Sequence, residues 1–146
     1  MLIEGSKLNE FPILSLHTAS EIARVKSPVI DPNYLKILAF EVTLPRSHNQ
    51  YFLDVSSIRE FSKMGMIIDS DEELFERGDL IKLDKVIELG FCLDRMKVVS
   101  KKHNLLGHVA DYTVVTDNFQ IMQLIIKRPI YKALIDPELT IGRSEI

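Results

Sequence analysis

The sequence predicts a mainly β protein of two tandem units joined by a short helical connector, the second unit ending before its last strand. Three observations carry this. Short runs alternate apolar and polar residues, the period of a half-buried strand, between clusters of Pro, Asp, Asn and Gly that mark turns. Residues 22–42 can be laid on 106–126 without a gap. Only the middle of the chain changes to a helical period.

The repeat rests on turn grammar, since the apolar matches are about what composition alone supplies. In one copy the polar turn His17–Glu21 precedes Ile22-Ala23-Arg24-Val25; in the other Ser100–Asn104 precedes Leu106-Gly107-His108-Val109. A second turn follows in each, Asp31-Pro32-Asn33 and Asp117-Asn118, and then an alternating run. Leu53-Asp54-Val55-Ser56-Ser57-Ile58 falls on Ile141–Ile146 four residues out of step. Such a repeat sets the architecture.

In order along the chain, Phe11–Leu16 reads as a strand. Glu21–Ile30 is a second, stopped by Pro28 and Asp31-Pro32, and Leu35–Leu44 a third, ended by Pro45. Arg46–Gln50 is a hairpin loop and Tyr51–Leu53 a short strand. Val55–Phe61 suits one or two helical turns, and Met66–Asp69 closes the first unit. Ser70-Asp71-Glu72-Glu73 has the form of a capping box, with Gly78 placed to end a helix. A helical connector is expected over about 70–85, passing into a strand through the alternating Ile87, Leu89, Phe91 and Leu93. Further strands are expected near 96–100, 105–116, 119–128 and 138–142. The expected divisions are 1–69, 70–86 and 87–146.

Composition is ordinary for a globular protein, 46% hydrophobic and 27% charged. Each half is near the lower size limit for a self-sufficient core. No run has the apolar length of a membrane span, and Met1–Gly5 lacks the basic and apolar regions of a signal peptide. The single cysteine, Cys92, excludes an internal disulfide and a cysteine-built zinc site. A cytoplasmic location is the expectation. Residues 1–90 carry 10 basic and 15 acidic side chains; residues 91–146 carry 8 and 6. That asymmetry biases partner choice but is no basic stripe of a dedicated nucleic-acid binder.

The candidate chemistry is thin. His103 and His108 flank a turn without two further ligands in sight. His17 and His48 fall in loops. Cys92 sits between Phe91 and Leu93, the context of a packed thiol. The acids Asp69, Asp71, Glu72, Glu73 and Glu76 lack the spacing of a calcium loop and suit a first helical turn. There is no P-loop, GxGxxG or G-x-S-x-G. No enzyme activity, cofactor or metal is expected. A mild basic set, Lys97, Lys101, Lys102, His103, Lys127, Arg128 and Lys132, is interleaved with Phe119 and Tyr131 and is suited to a protein or RNA contact.

The series Leu106-Gly107-His108-Val109-Ala110-Asp111, followed by Asp117-Asn118-Phe119-Gln120-Ile121, resembles the PRC-barrel domain. That family includes the cytoplasmic domain of the photosynthetic reaction-centre H subunit and the C-terminal domain of a ribosome maturation factor. The resemblance covers residues 91–146 best. Over 8–69 Ala23 replaces the glycine and Ser27 the aspartate. The whole chain is similar to tandem PRC-barrel proteins. The resemblance implies two small, strongly bent β-barrels used as an adaptor, with Gly107, Asp111, Asp117 and Asn118 as structural turn positions. It implies no catalytic residues. Ribosome-linked members bind a ribosomal protein, and the reaction-centre member packs on a membrane complex. The expected function is therefore a non-enzymatic protein-interaction module. The alternative is an RNA- or ribosome-associated assembly factor using the basic face of the second barrel.

No residues after Ile146 mirror Met66–Ile68, so the second unit is expected to have an open edge, a template for association. A chain cut short of its natural end is the expected origin, and a homodimer through that edge the expected consequence. Met1–Glu4, in cis or from a second copy, is the other candidate filler.

Overall fold

In a computed structural model of the chain, residues 1–130, 134 and 136–146 are described. The chain divides into two compact units. One is Lys7–Phe91; the other joins Met1–Ser6 to Cys92–Ile146. These boundaries differ from the expected ones: the helical segment belongs to the first unit, and the N-terminus to the second.

In the first unit, β2 (Pro12–Ser15), β3 (Ser20–Asp31), β4 (Lys36–Thr43), β5 (Tyr51–Asp54), β6 (Glu60–Ser62), β7 (Gly65–Ile68) and β8 (Leu74–Phe75) form one sheet. Its order is β6-β7-β2-β3-β4-β5-β8, curled into a half-barrel. Every pairing is antiparallel except β2 with β7, where Ile13, Leu14 and Ser15 run parallel to Met66, Ile67 and Ile68. Alternation along the strands turns Ile13, Val25, Ile37, Phe40, Val42, Met66 and Ile68 into the core, each at most 2% exposed.

The connector departs from expectation. Ser70 does cap, its Oγ accepting from the Glu72 amide at 3.3 Å, but only for the 3-10 turn Asp71–Glu73. The chain then turns extended, because Leu74 and Phe75 pair with Leu53 and Phe52. Phe75 stacks on Phe52 at 5.9 Å between ring centroids. The helix α1 comes later, Ile81–Leu89, and lies against β3 with Leu83 buried. Gly90, at φ 61°, ends it in the left-handed conformation, its N–H donating to the Ile87 carbonyl. Residues 87–93 are therefore not a strand. Gly78 stands before the helix, its amide donating to the Asp84 carboxylate.

The second unit holds β1 (Leu2–Glu4), β9 (Lys97–Val99), β10 (Leu105–Val115), β11 (Ile121–Lys127) and β12 (Glu138–Gly142). The strand β10 is central, with β11 and then β12 on one side and both β9 and β1 on the other. Its pairing reproduces that of the first unit. Arg24↔Thr43, Val25↔Val42, Ser27↔Glu41, Pro28↔Phe40, Val29↔Ala39 and Ile30↔Ile37 correspond to His108↔Lys127, Val109↔Ile126, Asp111↔Ile125, Tyr112↔Leu124, Thr113↔Gln123 and Val114↔Ile121. The bulges fall at equivalent places, and β4 with β5 matches β11 with β12 residue for residue.

Turn geometry repeats too. Glu10 and Arg95 have φ 62° and 63°, Ala19 and His103 52° and 64°, Leu35 and Phe119 49° and 60°. A left-handed conformation costs a non-glycine residue about 1–2 kcal/mol. Its recurrence at three equivalent places with unlike side chains shows that the bend of the sheet, not the local residue, demands it. Hydrogen bonds agree: Glu10 and Arg95 each donate to a strand carbonyl, Val25 and Val109, at 2.9 Å.

The N-terminus is strapped onto β10. Leu2, Ile3 and Glu4 pair with Val115, Val114 and Thr113, and the Thr116 amide donates to the Met1 carbonyl at 2.8 Å. Gly5 then crosses the Tyr112 ring so closely that any Cβ there would collide with it. Ser6 closes the strap: its amide and Oγ donate to the two Asp111 carboxylate oxygens at 3.0 and 2.6 Å. Thus Asp111, expected at a turn, lies inside β10 just after a bulge, where its side chain is aimed at the strap. Met1–Glu4 pairs in cis along the far half of β10 and not beside β9, so it does not fill the edge for which it was the other candidate.

Two measurements probe this architecture. Gly107 has φ 146°, and a Cβ would collide with the Lys127 carbonyl and lie 2.7 Å from Ile126 Cγ2. Gly107→Ala is expected to destabilise by about 3 kcal/mol in urea titration, whereas Ala23→Gly at the equivalent place costs about 1 kcal/mol; equal losses would show that Gly107 is not a required close approach. Burial, and then the neighbouring Asp111 carboxylate, raise the Tyr112 hydroxyl pKa above that of a free tyrosine. The folded state then holds this proton after the unfolded state has lost it. Stability from this source is intact below about pH 10 and falls above it, by up to about 1.4 kcal/mol per pH unit. Tyr112→Phe is expected to flatten that alkaline loss in thermal melts; an unchanged slope would remove Tyr112 as its source.

Candidate partner-binding face of the second unit

The register of β9, β10, β11 and β12 builds a rung of charge. His108 pairs with Lys97 on one side and Lys127 on the other, and Lys127 pairs with Glu138. All four side chains are exposed. Residues opposite one another project from the same face, with neighbouring strands about 4.8 Å apart. Two lysines thus flank one histidine on a short edge of the sheet, within about one Debye length of each other.

The turn that follows β9 adds to this. Ser100 N–H donates to the Asn104 carbonyl at 2.9 Å and the His103 N–H to the Ser100 carbonyl at 2.9 Å. The Ser100 hydroxyl accepts from the Asn104 amide at 3.1 Å. This tight reversal holds Lys101, Lys102 and His103 out, all exposed. Arg128 is less free: its guanidinium lies 3.4 Å from Asp136 and is 25% exposed. Lys132 and Tyr131 lie outside the described residues.

Of the expected contact residues, the fold places Lys97 and Lys127 on one rung on either side of His108, and Lys101, Lys102 and His103 in the turn after β9. In the sequence His108 reads as a surface strand position or a metal ligand, outside the basic set. The signal that finds it is the hairpin register, which places Lys127 opposite once the Asp117-Asn118 turn is fixed. Both residues do form that turn, with the Asn118 side chain accepting from the Gln120 amide at 3.0 Å. Phe119 is 5% exposed, part of the core and not a surface for stacking a base.

The remaining candidates are dispersed. His17 and His48 are exposed. Cys92 is exposed too, not packed as its apolar neighbours suggest, because Leu93 alone of that triplet turns fully inward, at 4% exposure. Asp69 is engaged by Arg59 at 2.7 Å, a bond that raises the guanidinium pKa. Among the described residues no three His, Cys, Asp or Glu side chains gather as a metal-binding set. No described helix is long and apolar enough to cross a membrane.

No family model matches the chain, and no curated protein matches it.

Lys97 and Lys127 on one rung repel weakly, with Glu138 beside Lys127 offsetting part of the effect. Lys97→Gln is expected to raise stability by about 0.3 kcal/mol at low salt, with the gain vanishing at high ionic strength. A salt-independent effect in urea titrations would show that the lysines do not repel.

Proposed function

We propose that the chain is a non-catalytic protein-interaction module, a PRC-barrel-like adaptor whose second unit docks an acidic surface of a partner protein. The observation that carries this reading is the exposed rung Lys97–His108–Lys127 beside the Lys101-Lys102-His103 turn. Exposed lysines so placed are suited to meeting carboxylates, where complementary charge steers encounter and sets orientation. The repeat supports the reading as well, since each unit has a sheet built on the same bulged hairpin and the two differ in charge. Such cations also suit phosphates, but burial of Phe119 leaves that residue unable to add the stacking on which single-stranded RNA binders rely.

The test is capture from cell extract by the immobilised full chain, with and without nuclease, beside a Lys97→Glu and Lys127→Glu double variant. Capture of a protein that survives nuclease, weakens with salt and is lost in the variant supports the proposal. Loss on nuclease treatment indicates an RNA partner instead, and capture indifferent to the charge reversal overturns the assignment of this face.

A further inference from the structure

Every position of β9 is more exposed than its counterpart in β2. Ile13 is 0% exposed and Ser15 3%, whereas the matching Val98 and Ser100 are half-buried. Leu14 is half-buried, and the matching Val99 is 48% exposed. The cause is β7, which lies parallel along β2 and buries Met66 and Ile68 completely. Among the described residues β9 pairs with β10 alone. Since the Ser100 amide points to Asn104 of the turn, alternation directs the Val99 amide and carbonyl to the open side.

The first unit shows what fits such an edge. Past β2, the Leu16 and His17 amides still donate to the Ile68 and Asp69 carbonyls, each at 3.0 Å. The added strand then runs straight into Asp69, Asp71, Glu72 and Glu73. The turn that this end meets, His17–Ala19, is matched in the second unit by Lys101, Lys102 and His103. A strand laid along β9 in the same direction would carry its C-terminal end onto Lys101 and Lys102.

We infer that the open edge of β9 takes a parallel strand from a partner protein: an extended segment of apolar residues followed directly by a cluster of carboxylates. This rests on the reading of the second unit as a protein-binding face and names the binding mode, β-strand addition. A second copy of the same edge is a poor occupant. Two-fold pairing of β9 with itself is antiparallel and brings the Lys101-Lys102 turn of one copy toward Lys97 of the other, cation against cation.

The probe is a fluorescent peptide with the sequence of residues 65–73, Gly-Met-Ile-Ile-Asp-Ser-Asp-Glu-Glu, titrated against the full chain. Binding is expected, weakened about tenfold by Lys101→Glu with Lys102→Glu. Hydrogen exchange is expected to show new protection at the Val99 amide. Changes confined to the Leu16 and His17 amides would mean displacement of the chain's own β7 and would overturn the inference. Equal binding by a peptide with serines for Met-Ile-Ile would also overturn strand addition, while leaving a cationic docking face intact. Absence of peptide binding in a chain that still captures its charge-dependent partner would do the same.

Discussion

The shape of each unit depends on a bulge that switches the inward side of a long strand. In β10 the odd-numbered Gly107 and Val109 are buried, then Ala110 faces solvent as the extra residue, and beyond it the even-numbered Tyr112 and Val114 are buried. In β3 Ala23 and Val25 are buried, Lys26 is the exposed extra residue, and Ile30 is buried beyond it. A strand without the bulge would carry its core side chains out of the core where the sheet bends, since a one-residue slip reverses every face. The left-handed residues Glu10 and Arg95 hold the incoming chain against this bend, and Leu35 and Phe119 turn it into the next strand. The rest of the architecture follows from keeping one core on the inside of a folded hairpin.

The two units complete this frame differently. The first adds β7 beside β2 and β8 beside β5, so Ile13, Phe52 and Leu53 are sealed at 0–1% exposure. The second recruits β1 from the other end of the chain to the far half of β10. Its specific residues are ones the first unit lacks at these places. Asp111 stands where the first unit has Ser27, and it accepts both hydrogen bonds of Ser6. Tyr112 stands where the first unit has Pro28, and it receives Gly5 on its ring. The aspartate that the PRC-type resemblance marked is thus a fastener for a segment distant in sequence.

Charge follows the same division. Strands that lie inside a sheet spend their side chains on packing, while a strand at an edge is free to carry lysine. Lys97, at the edge, matches Pro12, which is half-buried between β3 and β7. Edge lysines commonly guard against indiscriminate strand pairing.

The residues alone determined the mainly β class, most strand positions, the duplication and the two Asp/Asn turns, because alternation and turn chemistry are local and act within a few residues. What only the tertiary structure decided was long-range pairing. Leu74 and Phe75 leave a capped helical start because Leu53 and Phe52 offer them a partner. Alternation at 87–93 yields to a helix through Leu89 that packs Leu83 against β3. Leu2–Glu4 becomes a strand of the second unit only through a register joining residues far apart in the chain. No local period records such a register, because it is set by which edges remain unpaired once the core is closed.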